Sequence, residues 1–191
     1  IYNADGTPRS DDIQLTPQRN GDHLVQDVTQ LSGGAILTLV AQQQGNGSYD
    51  LIAYRTNAQG RNIGQERVVT GIRLDDGDDG PEAEIAALPG GGYGISWHQS
   101  GSGANGDQIR FQAFNNNGTA RGEARIVGLD PSGRGRDQDD ARLTALESGG
   151  FAVVWERDLA NDTDIFLRLL DGNGVPKGNA ILVNQGDRAR D

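Results

Sequence analysis

The densest group of chemistry-bearing residues in the sequence is Asp75-Asp76-Gly77-Asp78-Asp79-Gly80, four carboxylates broken by glycine. Carboxylates on a glycine-bearing loop can wrap a hard cation, and Ca²⁺ takes about 6–8 oxygen ligands. Asp75, Asp76, Asp78 and Asp79 are therefore the candidate metal ligands, and calcium is the candidate cofactor. The segment is not an EF-hand, because a glutamate at the twelfth position and flanking helices are missing. The competing reading is a solvated acidic turn. Asp137, Asp139 and Asp140 are expected in the corresponding loop one repeat later, and Asp22 and Asp27 in that one repeat earlier. Such recurrence suits calcium, but it equally suits carboxylates that accept backbone N–H bonds and cap loops. Asp158, Asp162 and Asp164 surround Asn161, and Asp50 and Asp107 sit near the equivalent loop ends. Their types and places read as turn-forming side chains.

Other chemistries find less support. The two histidines, His23 and His98, stand apart from any Ser or Cys nucleophile motif. His98 follows Trp97, so strand alternation sets it opposite a core position and predicts a surface histidine. Trp97, Trp155, Tyr93 and Phe151 could form a sugar-stacking platform, but their alternation favours a core role. Paired carboxylates could hydrolyse glycosides, yet nothing selects a pair among the 27 acidic residues. No catalytic and no organic-cofactor residue is assigned.

Composition removes several classes. The charge of −10 leaves no basic face for displacing counterions from nucleic acid or for holding an anionic membrane. Cysteine is absent, which excludes disulfides, thiolate nucleophiles and zinc–thiolate sites. No apolar run approaches the ~18 residues of a membrane span. The 29 glycines show no collagen-like period, so they point to many tight turns.

The elements that must carry these residues repeat. Val28 to Leu39, Ile85 to Trp97 and Leu143 to Trp155 share one layout around a Gly-Gly turn, with the last turn glycine at 34, 92 and 150. Leu39, Trp97 and Trp155 keep the same step. A second turn follows each, at Asn57-Ala-Gln-Gly60, Asn115-Asn-Asn-Gly118 and Asp171-Gly-Asn-Gly174, with a further copy at Asn3-Ala-Asp-Gly6. Short apolar runs come next: Ile13-Gln-Leu15, Val68-Val69, Ile126-Val127 and Ile181-Leu-Val183. We divide the chain into a partial repeat at 1–27 and repeats at 28–83, 84–140 and 141–191.

Each unit reads strand, Gly-Gly turn, strand, polar loop, strand, Asn/Asp-Gly turn, strand. In the last unit the strands are expected near 141–146, 150–156, 164–170 and 180–184. Ile165, Leu167 and Leu169 share one face of the third strand, and Phe166 and Leu170 lie on the other, which suits a place inside the sheet. The fold class expected is all-β, in repeated four-stranded antiparallel units arranged like β-propeller blades. The alternative is a string of small β-sandwich modules, for which the repeat is short. The first copy holds only two strands and there is no initiator Met, so the chain is expected to be a piece of a longer array.

The landmarks also resemble a family. Leu146 to Trp155, reading Leu-x-x-Gly-Gly-Phe-x-Val-x-Trp, is followed by Arg168, Gly174, Gly178 and Val183-Asn184. Leu88 to Trp97 with Gly118 to Gly122 is close to it. This pattern resembles the tandem β-repeats of large, calcium-associated, adhesin-like bacterial proteins exported by type I secretion. The copy at 28–70 has Ala35 and Leu39 in place of the aromatic residues, and the nonapeptide Gly-Gly-x-Gly-x-Asp is absent. The resemblance implies a secreted or cell-surface protein.

The expected function is a non-catalytic structural or adhesive module. Its partners would be a surface glycan or protein and the flanking repeats of the parent chain, without nucleic acid or membrane insertion. The alternatives are a polysaccharide-acting propeller enzyme and a carbohydrate-binding lectin. An enzyme should show one repeat whose loops depart from the others with clustered His, Arg, Tyr or carboxylates.

Overall fold

The computed structural model describes residues 2–8, 11–16, 21–75, 80–101, 106–129, 136–159 and 162–184. These contain no helix and form three four-stranded antiparallel sheets. Sheet 1 holds β1 (His23–Gln30), β2 (Ile36–Gln43), β3 (Tyr49–Thr56) and β4 (Asn62–Ile72). Sheet 2 holds β5 (Glu84–Ala87), β6 (Tyr93–Gln99), β7 (Gln108–Phe114) and β8 (Arg125–Gly128). Sheet 3 holds β9 (Gln138–Ala145), β10 (Phe151–Asp158), β11 (Thr163–Leu170) and β12 (Ile181–Leu182). In each sheet the strands lie in chain order, so every connection is a hairpin. β1 and β9 start ahead of the repeat boundaries at Val28 and 141, because the polar residues before the apolar run also join the ladder.

Local chemistry makes the hairpins. Gly60 N–H donates to the Asn57 carbonyl, and Asn57 Oδ1 accepts the N–H groups of Gln59 and Arg61. Asn115 and Asp171 close the same backbone turn, and so does Asn3 in the partial first copy. Asp171 accepts two N–H groups as Asn57 does, and in the other two turns Asp5 and Asn117 accept the N–H of the residue two further on, which is why Asn and Asp recur in these turns.

The Gly-Gly turns correct the sequence alignment by one residue. Leu31 N–H bonds the Ala35 carbonyl, Leu88 N–H the Gly92 carbonyl and Leu146 N–H the Gly150 carbonyl. Ala35, and not Gly34, therefore matches Gly92 and Gly150, so the first repeat step is one residue shorter than the second. A one-residue slip exchanges the two faces of a strand. Val40, not Leu39, is the counterpart of Trp97 and Trp155. The ladder agrees, since Val40 pairs with Ile52 as Trp97 pairs with Arg110 and Trp155 with Phe166.

The core lies between sheets and not inside any one unit. Leu37, Leu39, Ala41 and Leu51 of sheet 1 pack with Tyr93, Ile95 and Trp97 of sheet 2. Ile109, Phe111 and Ala113 of sheet 2 pack with Phe151, Val153 and Trp155 of sheet 3. The rings of Phe111 and Phe151 meet across that boundary at 4.9 Å. The first strands β1, β5 and β9 are neighbours in that order. This is a propeller-like stack of four-stranded blades, and the described sheets do not close into a ring. At one end Leu15 packs on Val40, Ile52 and Tyr54 of sheet 1. At the other, Leu169, Ile181 and Val183 of sheet 3 are exposed. β11 is an interior strand, as its two-sided apolar pattern implies.

Candidate functional site

The first strands place polar side chains at the boundaries between sheets, and most of these tie the sheets together. Asp27 Oδ2 accepts the Ile85 N–H at 2.9 Å, and Gln26 Oε1 accepts the Ala83 N–H at 2.8 Å. One sheet further on, Glu82 Oε2 accepts the Asp140 N–H at 3.2 Å, and Arg142 lies 3.7 Å from Glu84. Asp137 Oδ1 accepts the Asp107 N–H at 3.1 Å. Burial, and then repulsion from Asp27, raises the Glu84 carboxyl above its ordinary range against the pull of Arg142.

Among the described residues, one cluster of three carboxylates is not spent this way. Asp139 faces Glu156 across the β9–β10 ladder, beside a bulge. Asp139, Asp140 and Glu156 each bring an oxygen within 4.8 Å of the others. Burial pushes the Asp139 carboxyl up to about 6, and repulsion from Asp158, Asp140 and Glu82 adds to this while His98 opposes it. These three residues could hold a cation, and Asp139 keeps its proton up to a pH of about 6. The proton has a consequence for stability. As pH rises from 3.8 through about 6, the unfolded chain loses this proton first, so the stability it confers is lost over that interval. Asp139→Asn should raise the melting temperature at pH 7 and leave it nearly unchanged at pH 3.5. Equal shifts at both pH values would show that the carboxyl titrates alike in both states.

His98 is buried at 3% exposure, contrary to the surface position expected from alternation. Its face of β6 is covered by sheet 3, so both faces of the strand are inside. Its Nε2 lies 2.8 Å from Asp107 Oδ2, and its Nδ1 is buried without a hydrogen-bond partner among the described residues. Tyr93, Trp97, Phe151 and Trp155 are core residues as expected.

Of the acidic loop, Asp76, Asp78 and Asp79 lie outside the described residues, and Asp75 stands just after β4. Asp139 and Asp140 lie within β9 and not in a loop. Sequence reasoning noted them but could not join them to Glu156, which is distant in sequence and meets them only through the hairpin register. Asp50 and Asp164 bind Arg67 and Arg157 as well as forming loop ends, and Asp50 also accepts the Gly71 N–H.

A second feature was not foreseen. A cavity of about 440 Å³ opens between sheets 2 and 3. Trp155, Arg157, Phe166 and Arg168 line it from sheet 3, and Ile126 and Leu129 face them from the end of sheet 2. Trp155 Nε1 donates to Gln138 Oε1 at 2.8 Å. The Arg157 guanidinium lies 4.3 Å over the Phe166 ring and 2.7 Å from Asp164 Oδ2. Arg168 Nη1 donates to the Val127 carbonyl at 2.9 Å.

The fold thus defines an all-β repeat protein built of stacked four-stranded blades. No family model and no curated protein sequence matches the chain. Among solved structures it is similar to the crystal structure of endo-arabinase from Bacteroides thetaiotaomicron VPI-5482, with a TM-score of 0.50 and 11% identity. The match covers 81% of this chain and 60% of that one. At that identity the likeness is one of fold alone.

Proposed function

We propose that this chain is a non-catalytic repeat module, serving as a structural or adhesive part of a secreted or surface bacterial protein, with a surface glycan as its partner. The observation that carries this reading is the use of polar side chains at the sheet boundaries. Gln26, Asp27 and Glu82 each accept a backbone N–H from the following sheet, and Asp137 accepts one from the preceding sheet. Groups engaged in this way hold the stack together. Repeats of this kind give every unit one core and leave recognition to a few side chains. Calcium enters as a structural ion, for which Asp139, Asp140 and Glu156 supply oxygens.

Asp139 favours a second reading, a polysaccharide-acting enzyme. A carboxyl held protonated up to about 6 beside other carboxylates resembles a general acid. The oxygen spacing within 4.8 Å is near the ~5–5.5 Å of retaining glycosidases. The named activity of the arabinase of similar fold points the same way. One assay separates the readings. The protein is incubated with arabinan and a panel of acidic and neutral polysaccharides, with calcium and with EDTA, and new reducing ends are measured beside retention on the immobilised glycans. Retention without hydrolysis is expected. Reducing ends that appear with the wild type and vanish in Asp139→Asn would establish the enzyme instead.

A further inference from the structure

From the crevice between sheets 2 and 3 we infer that it binds a carboxylate-bearing sugar residue, of the uronate type, through Arg157 and Arg168. The inference deepens the adhesive reading and rests on its premise that the partner is a glycan.

The same crevice positions can be followed through the stack. In sheet 1 they are Val40, Ile52 and Tyr54, an apolar set packed on by Leu15. In sheet 2 the register places Trp97, Arg110 and Gln112 there, and in sheet 3 Trp155, Phe166 and Arg168. The fourth position, two pairs along the ladder and so on the same face, is Gln42, then Gln99, then Arg157. Only sheet 3 brings two arginines to this face. Repetition explains what the units share, and such a departure requires a separate cause. In a chain of charge −10, two cations on one crevice wall are not explained by solubility.

Both arginines are held in place and remain short of acceptors. Asp164 and the Phe166 ring fix Arg157, and the Val127 carbonyl fixes Arg168. The Nε–H of each is buried with no hydrogen-bond partner among the described residues, as is that of Arg110 in sheet 2. Both side chains are nonetheless partly exposed and line the crevice, so an acceptor there meets their guanidinium groups. Guanidinium groups match carboxylates through paired N–H bonds better than any other side chain does. Opposite them, Ile126 and Leu129 are each about 40% exposed and offer an apolar wall to the C–H face of a sugar ring. The 440 Å³ volume lies within the ~300–1,000 Å³ of small-ligand sites.

The test follows the Arg157 and Arg168 Nε–Hε resonances of the wild-type protein by ¹H–¹⁵N NMR. Galacturonate and trigalacturonate are titrated against galactose, acetate and sulfate at matched ionic strength. Saturable shifts of both resonances with the uronates, and none with galactose, are expected. Arg157→Gln and Arg168→Gln should each weaken uronate binding by about tenfold or more, the effect of losing one charge-assisted hydrogen bond. If either variant fails to fold, the wild-type titration decides by itself. Unmoved resonances, or shifts reproduced in full by galactose, acetate or sulfate, would overturn the inference. If neutral glycans retain the protein while these resonances stay still, the crevice proposal falls and the adhesive reading stands. If no glycan of any kind is retained, both fall.

Discussion

Trp155→Ala is expected to lower the folding free energy by about 3–5 kcal/mol, the range for truncating a large buried aromatic. The ring is 2% exposed, packs in the core shared by sheets 2 and 3, and stacks on Phe166 at a centroid distance of 5.8 Å. Its loss also removes the donor that satisfies Gln138, itself 1% exposed. A buried amide oxygen left unpaired adds to the cavity term. Trp97→Ala should fall in the lower part of the same range. That ring is equally buried between sheets 1 and 2, but its Nε1 bond to Gln99 is long, at 3.3 Å. For a chain of this size the losses correspond to about 6–20 °C in Tm. Urea unfolding midpoints measure both variants. Unchanged midpoints would place the two rings outside the core and return them to the role of sugar platforms.

Gly92→Ala and Gly150→Ala should each cost about 2–5 kcal/mol, from backbone strain and overpacking together. The two residues hold equivalent places at the end of the Gly-Gly turns, with φ of 91° and 119°. A Cβ at Gly92 would stand 2.5 Å from the Phe114 carbonyl oxygen, and one at Gly150 would stand 2.4 Å from that of Leu170. Both contacts are with backbone, so neither yields to a change of rotamer. Gly6→Ala offers a comparison, since its φ is also positive at 81° but nothing lies within 4 Å of the added atom. It should cost only the strain, about 1–2 kcal/mol. Should Gly92→Ala and Gly150→Ala prove as mild as Gly6→Ala, close packing of strand against turn would not be what selects glycine there.

The third turn position shows how far the sequence could be read. Sheet 1 carries Ala35 where the other two sheets carry glycine, and Ala35 is not among the residues with positive φ. Gly34 looked equivalent to Gly92 because glycine was aligned with glycine, and the hydrogen bonds place it one residue earlier. The slip put Leu39 opposite Trp97 when Val40 belongs there. His98 was misjudged for a related reason. Alternation divides a strand into two faces but does not say which of them is covered, and in β6 every residue from Tyr93 to His98 is buried.

The all-β class, the four-strand unit, its repetition and the aromatic core were determined by the sequence alone. They rest on interactions between residues close in the chain: period-two alternation, Asn and Asp accepting N–H groups two to four residues on, and glycine where a turn needs it. The tertiary structure decided the rest. Asp139 meets Glu156, and Asp27 meets Ile85, only after hairpin register and sheet stacking are set. The crevice with Arg157 and Arg168 exists only because sheet 3 lies against the last strand of sheet 2. Each depends on which faces of distant strands are pressed together, and that choice is made by the summed burial of whole sheets, which no single stretch of sequence encodes.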